Sequence, residues 1–283
     1  MQSNWQIAEK VSQNIKHITS KKTRHILSVC VAVGLTMSAW GQNNTSSPFS
    51  RFGYGDLNDN VPGAYRAMGG IGIGMRSNKV INPSQPASYT ACDSLTFMFD
   101  IAASGMWDRY IDALGSHDKG NGNLEYVTIQ VPLWKQWIAA SIGVTPYSSV
   151  GYAFTLSDSI NSDYHYTTTY QGNGGFTQVY GGLSANILNW FALGANIYYM
   201  FGTVTNARAL TFTEGLNATS QYRSISISDV RLRYGAQLFH SFEHSSFNIG
   251  AIFENRSVLN GTNLQLESLT ADTIVNADTL GSD

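Results

Sequence analysis

Residues 179–201 read VYGGLSANILNWFALGANIYYMF. Two runs alternate between apolar and small or polar residues, and only Asn189 and Trp190 separate them. Val179, Gly181, Leu183, Ala185 and Ile187 share one side of the first run, opposite Gln178, Ser184 and Asn186. Phe191, Leu193, Ala195, Ile197, Tyr199 and Phe201 share one side of the second, opposite Gly194, Asn196 and Gly202. Side chains of a strand point alternately to its two faces, so a period of two means a strand whose faces meet different surroundings. Two such runs joined by two residues form a β-hairpin. Each apolar stripe has about the 9–11 residues that a tilted strand needs to cross a bilayer.

Working outward, the same pattern recurs at 95–101, 127–133, 138–144, 230–238 and 247–253, giving seven segments. Alternation of this kind also suits a soluble sandwich, so the connections matter. Those near 134–136, 189–190 and 243–246 are short, whereas 105–123, 148–173, 206–223 and 255 onward are long and polar. Strict alternation of short turns and long loops is a property of outer-membrane barrels. Aromatic residues cluster at the stripe ends, as in Trp134 and Trp137, Trp190 and Phe191, and Tyr199 and Phe201, where they would form interfacial girdles. The polar faces carry Asp100, Arg231, Arg233 and Gln237. In a soluble core these would be costly to bury, whereas in a lumen they are hydrated. The two arginines are either lumen-lining groups in their own right or structural partners of lumen acids. The expected fold is therefore all-β, a transmembrane antiparallel β-barrel over 94–283. Seven strands leave an open edge, and bacterial barrels close on an even number. The chain is thus expected to be an N-terminal fragment, with about seven strands of a barrel of about 14, and 262–275 is expected to begin an outer hairpin.

Composition agrees with export. Only 13% of residues are charged, about half the usual share of a soluble domain, and the formal net charge is −2. Residues 26–40 form an apolar run after Lys21, Lys22 and Arg24, and Ala39-Trp40-Gly41 supplies small residues before Gln42. A basic region, an apolar run and small residues make a signal peptide, with 1–20 as an extension. A single membrane anchor is the competing reading, but the run is shorter than the ~20 residues a spanning helix needs. Removal of 1–41 would leave a charge of −6, which argues against nucleic acid as a partner. It would also leave Cys92 alone, so no intramolecular disulfide is expected.

Between the leader and the first strand lies RAMGGIGIGMRSNKVINPSQPASY, residues 66–89. We expect 42–93 to be a hatch that enters the barrel lumen. Glycine permits close backbone approach to a wall, Pro83 and Pro86 fix φ, and Asn82 can bond neighbouring backbone amides. Arg66, Arg76 and Lys79 are expected to pair with lumen acids such as Asp100 or Glu254. The motifs SPFSRFGYG (47–55), RAMGGIGIG (66–74), INPSQPASY (81–89) and DSLTF (93–97) resemble the start of FadL/OmpP1/TodX-type outer-membrane transport proteins, most closely their Bacteroidetes branch. Arg66-Ala67-Met68-Gly69-Gly70 matches that family's R-A-x-G-G segment, and Asn82-Pro83 its Asn-Pro, with Ser84 where Ala is usual. The likeness spans about 60 residues, 42–104. It implies a hatch built on Arg66, Gly69, Gly70, Asn82 and Pro83. It also implies an outer-membrane channel, surrounded by membrane lipid, for passive uptake of hydrophobic small molecules such as long-chain fatty acids or aromatics. The alternative is a non-transporting barrel serving as a secretion-system accessory or a surface interaction protein. The long loops, rich in Tyr, Thr, Ser and Asn, favour that alternative.

Enzymatic motifs are weak. His240-Ser241-Phe242-Glu243-His244 fits H-x-x-E-H, but that motif needs a helix and here falls on a strand end and turn. Gly70-Ile71-Gly72-Ile73-Gly74 lacks the preceding strand and following acid of a dinucleotide loop. No His/Cys cluster has metal-site spacing. We expect no catalytic residues, no metal and no cofactor.

Overall fold

The computed structural model describes residues 47–59, 61–112, 115–161, 164–212, 218–256, 258–270 and 273–280. The leader expected at 1–41 lies outside them. The described part is almost entirely β, with strands β1 (Asp56–Leu57), β2 (Met98–Asp112), β3 (Gly115–Trp134), β4 (Ile138–Asn161), β5 (Tyr164–Leu188), β6 (Phe191–Phe212), β7 (Thr219–Ser241), β8 (Ser246–Glu254), β9 (Gly261–Thr270) and β10 (Thr273–Leu280). They form one antiparallel sheet in the order β10-β9-β7-β6-β5-β4-β3-β2, curled into a half-barrel. β8 and β9 share one place beside β7: β8 pairs with Arg233–Ser241, and β9 with Ser220–Ile227. They are one wall position with a break at 255–260. At the other side β3 leaves β4 after Val144, and the short β1 takes up the freed edge at Ser148 and Ser149.

The sheet is inverted relative to a soluble sandwich. One register row runs Ile101–Val127–Val144–Val179–Tyr199–Val230 across six strands, all on the outer face. The adjacent row, Asp100–Thr128–Gly143–Tyr180–Tyr198–Arg231, lies on the inner face. The outer row is apolar and yet open: Ile197 beside it is 52% exposed, whereas inward Asn196 is 0% and Gln237 1% exposed. A sheet that exposes leucine, isoleucine and phenylalanine while burying amides is stable with lipid outside, and in water it would be a large aggregation surface. The short turns carry exposed aromatics at Trp134, Trp137, Trp190, Phe242 and Phe247. From Trp190 to Phe201 is about 36 Å of strand, or about 25 Å in height at a tilt of about 45°, which is the height of a lipid-facing band. Beyond it the outer face turns hydrophilic, and Thr203 Oγ1 meets Ser226 Oγ at 2.9 Å.

Two expectations change here, and a third is met. The polar stretches 105–123, 148–173 and 206–223 are not loops but mostly paired strand. Phe154 pairs with Tyr170, Leu156 with Thr168, and Arg208 with Gln221. Above the lipid band both faces are wet, so polar residues fill both and the period of two fades, while the backbone ladder continues. The first strand begins at Met98 rather than at 95, and Leu95 is almost fully exposed. The expected hairpin around 262–275 is present as β9 and β10.

Candidate functional site: the hatch and its wall

The segment between β1 and β2 lies against the inner face. It contains a one-turn helix α1 (Gly63–Arg66), a tight turn at Gly72–Met75 and a 3₁₀ turn, Pro86–Ala91, opened by Gln85. Residues 81–90 are buried throughout. Proline at the first turn position fixes φ for that entry. An irregular segment leaves backbone carbonyls without ladder partners, and burial makes each orphan costly. The wall supplies the donors, mostly from amide side chains. Asn196 Nδ2 donates to Pro83 O at 3.0 Å, and the Tyr198 hydroxyl donates to the same oxygen at 2.9 Å. Gln130 Nε2 donates to Tyr89 O at 2.8 Å, and Ser184 Oγ to Ala87 O at 3.1 Å. Gln237 Nε2 reaches Ile73 O at 3.2 Å and Met75 O at 3.0 Å. Gln85 answers from the hatch, with Nε2 at 3.2 Å from both Ala236 O and Ala251 O.

Close approach is made possible by glycines of the wall and by Gly55, where an added Cβ would lie 2.5 Å from the Ser149 carbonyl oxygen, and not by Gly69 and Gly70. A Cβ on Gly194 would stand 2.5–2.6 Å from the backbone of Pro86 and Ala87. Gly235 faces Gln85 and Pro86, and Gly250 faces the Ile73 carbonyl. In the hatch, a Cβ added to Gly69 or Gly70 would meet nothing within 4 Å; their φ values of 84° and 76° are what require glycine there. The expectation that the glycines of the R-A-x-G-G segment give packing clearance is therefore corrected for Gly69 and Gly70.

The other predicted residues sort as follows. Asn82 is buried, and its Nδ2 donates to Gly72 O at 2.7 Å, tying two hatch segments together rather than bonding neighbouring amides. Pro83 presents the carbonyl that Asn196 and Tyr198 hold. Arg66 pairs with Glu125 of β3 at 3.0 Å, not with Asp100 or Glu254. Arg76 has no acid partner among the described residues. It donates to Ala87 O and Thr90 Oγ1, both at 3.0 Å, and stacks 3.9 Å from the Phe239 ring centroid. Burial lowers its pKa to about 10, so it stays charged at neutral pH. Asp100 accepts from the Tyr126 hydroxyl at 3.2 Å, and that hydroxyl oxygen accepts from Gly63 N at 3.2 Å. Arg231 and Arg233 both pair with Glu254, at 3.0 and 2.8 Å. The sequence reading missed Gln85, Gln130 and Tyr198, and it missed the role of Asn196. For Gln130, Asn196 and Tyr198 the signal was a neutral hydrogen-bonding side chain at an inward strand position; Gln85, at the entry of the 3₁₀ turn, had no such signal.

Because the Arg66 side chain is 38% exposed, Arg66→Ala should lower stability by less than about 1 kcal/mol, read as a shift of the urea midpoint. A larger loss would mean that this pair anchors the hatch.

The H-x-x-E-H stretch forms the end of β7 and the turn that follows, with His240 edge-on to Phe242 at 4.5 Å. Among the described residues, no three His, Cys, Asp or Glu side chains group to hold a metal ion.

An inverted half-barrel with an amide-clamped segment on its inner face narrows the comparison to outer-membrane proteins. The sequence profile of the BamG family matches residues 21–280. The chain belongs to the BamG family. BamG is an outer-membrane family related to the Bam complex, in keeping with the lipid-facing band. Neither the curated proteins nor the solved structures gave a match. The FadL/OmpP1/TodX likeness of residues 42–104 is carried by its motifs alone, whereas the BamG match spans hatch and wall together.

Proposed function

We propose that this chain is an exported outer-membrane barrel with an accessory role beside the Bam complex, its residues 42–93 serving as a fixed hatch. The observation that carries the reading is the BamG match over nearly the whole chain. The hatch geometry supports it. Every wall contact described above that runs through Gln85, Gln130, Ser184, Asn196 or Gln237 is an uncharged hydrogen bond in a buried setting. Such bonds contribute about 1 kcal/mol each, and leaving a partner unsatisfied costs about 1–3 kcal/mol. A hatch held at many such points is a structural part of the barrel. The natural partners are outer-membrane lipid and the Bam complex. The test is affinity purification of a tagged full-length chain from native membranes. Bam-complex subunits are expected to co-purify in stable ratio, and their absence would defeat the reading.

Passive uptake of hydrophobic small molecules is the second reading, supported by the R-A-x-G-G and Asn-Pro segments of the hatch. It requires labelled long-chain fatty acid to enter liposomes containing the full-length barrel faster than empty liposomes. Equal rates across several apolar solutes would remove it.

A further inference from the structure

Above the lipid-facing band, the inner face carries two further register rows. One runs Phe154–Tyr170–Arg208–Gln221–Glu267 and the other Tyr152–Gly172–Asn206–Arg223–Gln265. Together with Arg51, at the end of the 3₁₀ turn Pro48–Arg51, residues of these rows line a cavity of about 320 Å³. Three guanidinium groups converge there, and among the described residues no carboxylate lines it. Arg66, Arg109, Arg231 and Arg233 each have a carboxylate partner, but Arg51, Arg208 and Arg223 have none among the described residues. Arg51 is held 4.8 Å over the Tyr170 ring and Arg208 5.6 Å from it. Arg223 Nε donates to Asn263 Oδ1 at 3.2 Å. Glu267, the next residue along one row, accepts from Gln221 Nε2 at 2.8 Å and does not line the cavity.

Like charges gathered in one recess repel, and an anion relieves that repulsion through charge-assisted hydrogen bonds. We propose that this cavity binds a sugar-sized organic oxyanion that arrives from the side of the long hairpins. The size limit comes from the volume. The polar character comes from the lining: Asn206, Gln221 and Gln265 offer amides suited to hydroxyl groups, and no long aliphatic side chain among the described residues offers a bed for an acyl chain. Arg51 belongs to the segment that precedes the hatch turns and Arg208 and Arg223 to the wall, so a bound anion bridges the two.

The test is isothermal titration of the purified full-length barrel with glucuronate and with glucose 1-phosphate, using glucose as the neutral control. The carboxylate and phosphate arms rank the two oxyanions. At least one anion should bind ten times or more as tightly as glucose. Arg208→Gln and Arg223→Gln should each weaken it about tenfold, and Arg208→Lys should weaken it less. Glucose binding as tightly as both anions would overturn the proposal. So would anion affinity unchanged in the Arg51→Gln, Arg208→Gln, Arg223→Gln triple variant with a native melting profile.

Discussion

Gly194→Val will expel the hatch from the wall while leaving the sheet intact. Gly194 sits inward on β6 beneath Pro86 and Ala87, and the atoms its Cβ would meet at 2.5–2.6 Å are all backbone. A flexible side-chain tip could swing away, but a buried 3₁₀ turn cannot move without breaking the bonds from Ser184 to Ala87 O and from Gln130 to Tyr89 O. Valine suits a strand, so the ladder to β5 and β7 gains rather than suffers. Overpacking of this kind costs about 1–3 kcal/mol even where neighbours adjust. Here the cheaper response is release of residues 81–90. Limited proteolysis of the folded barrel in detergent reads this directly, and the 47–93 segment should be trimmed at least about tenfold faster than in the parent. Gly181→Val is the control. It lies on the outer face of the neighbouring strand with nothing within 4 Å, so its digestion should match the parent. An unchanged digestion rate for Gly194→Val would mean that the hatch is not seated as described.

How far the sequence reached can be judged from such residues. The membrane-crossing part was legible because lipid on one side and lumen on the other force a period of two. Ile197 and Asn196 show opposite surroundings in adjacent letters. Outside the lipid band that contrast ends. Thr167, Thr168 and Thr169 are β-branched and favour a strand, yet without an apolar face they read as a loop. The short turns were legible from length and their aromatics. That the segment before β2 is irregular was legible, since its prolines and glycines exclude regular structure, but its partners were not. Nothing local in Gln85 or Asn196 says that one meets the Ala236 carbonyl and the other the Pro83 carbonyl. Those contacts join positions more than a hundred residues apart and depend on sheet curvature. For the same reason Arg66 could be assigned a charged partner but not Glu125 in particular. The glycines show a different limit, because composition cannot separate a glycine needed for its φ, such as Gly69, from one needed for the space beneath it, such as Gly194.

Glu254→Leu should destabilise the barrel by about 2–3 kcal/mol, with the effect reaching the hatch. Glu254 holds Arg231 through Oε1 at 3.0 Å and Arg233 through Oε2 at 2.8 Å, and all three side chains are mostly shielded from solvent. Breaking a fully buried pair by removing one partner costs about 3–5 kcal/mol, because the remaining charge is uncompensated. Some lumen hydration lowers that figure here, while the repulsion between two neighbouring guanidinium groups raises it. Arg233 Nη1 also donates to the Tyr198 hydroxyl at 3.3 Å, the group that holds Pro83 O. The acid therefore fixes Arg233, Arg233 fixes Tyr198, and Tyr198 fixes the hatch. Two measurements separate the local and remote effects. The unfolding midpoint should fall in Glu254→Leu, and part of the loss should return in Glu254→Leu combined with Arg233→Leu, which removes one of the two stranded charges. Hatch proteolysis should rise in both variants, because each breaks the path to Tyr198. If the double variant restored hatch protection to the parent level, Tyr198 would be positioned by Asn196 alone, whose Nδ2 lies 2.9 Å from its hydroxyl.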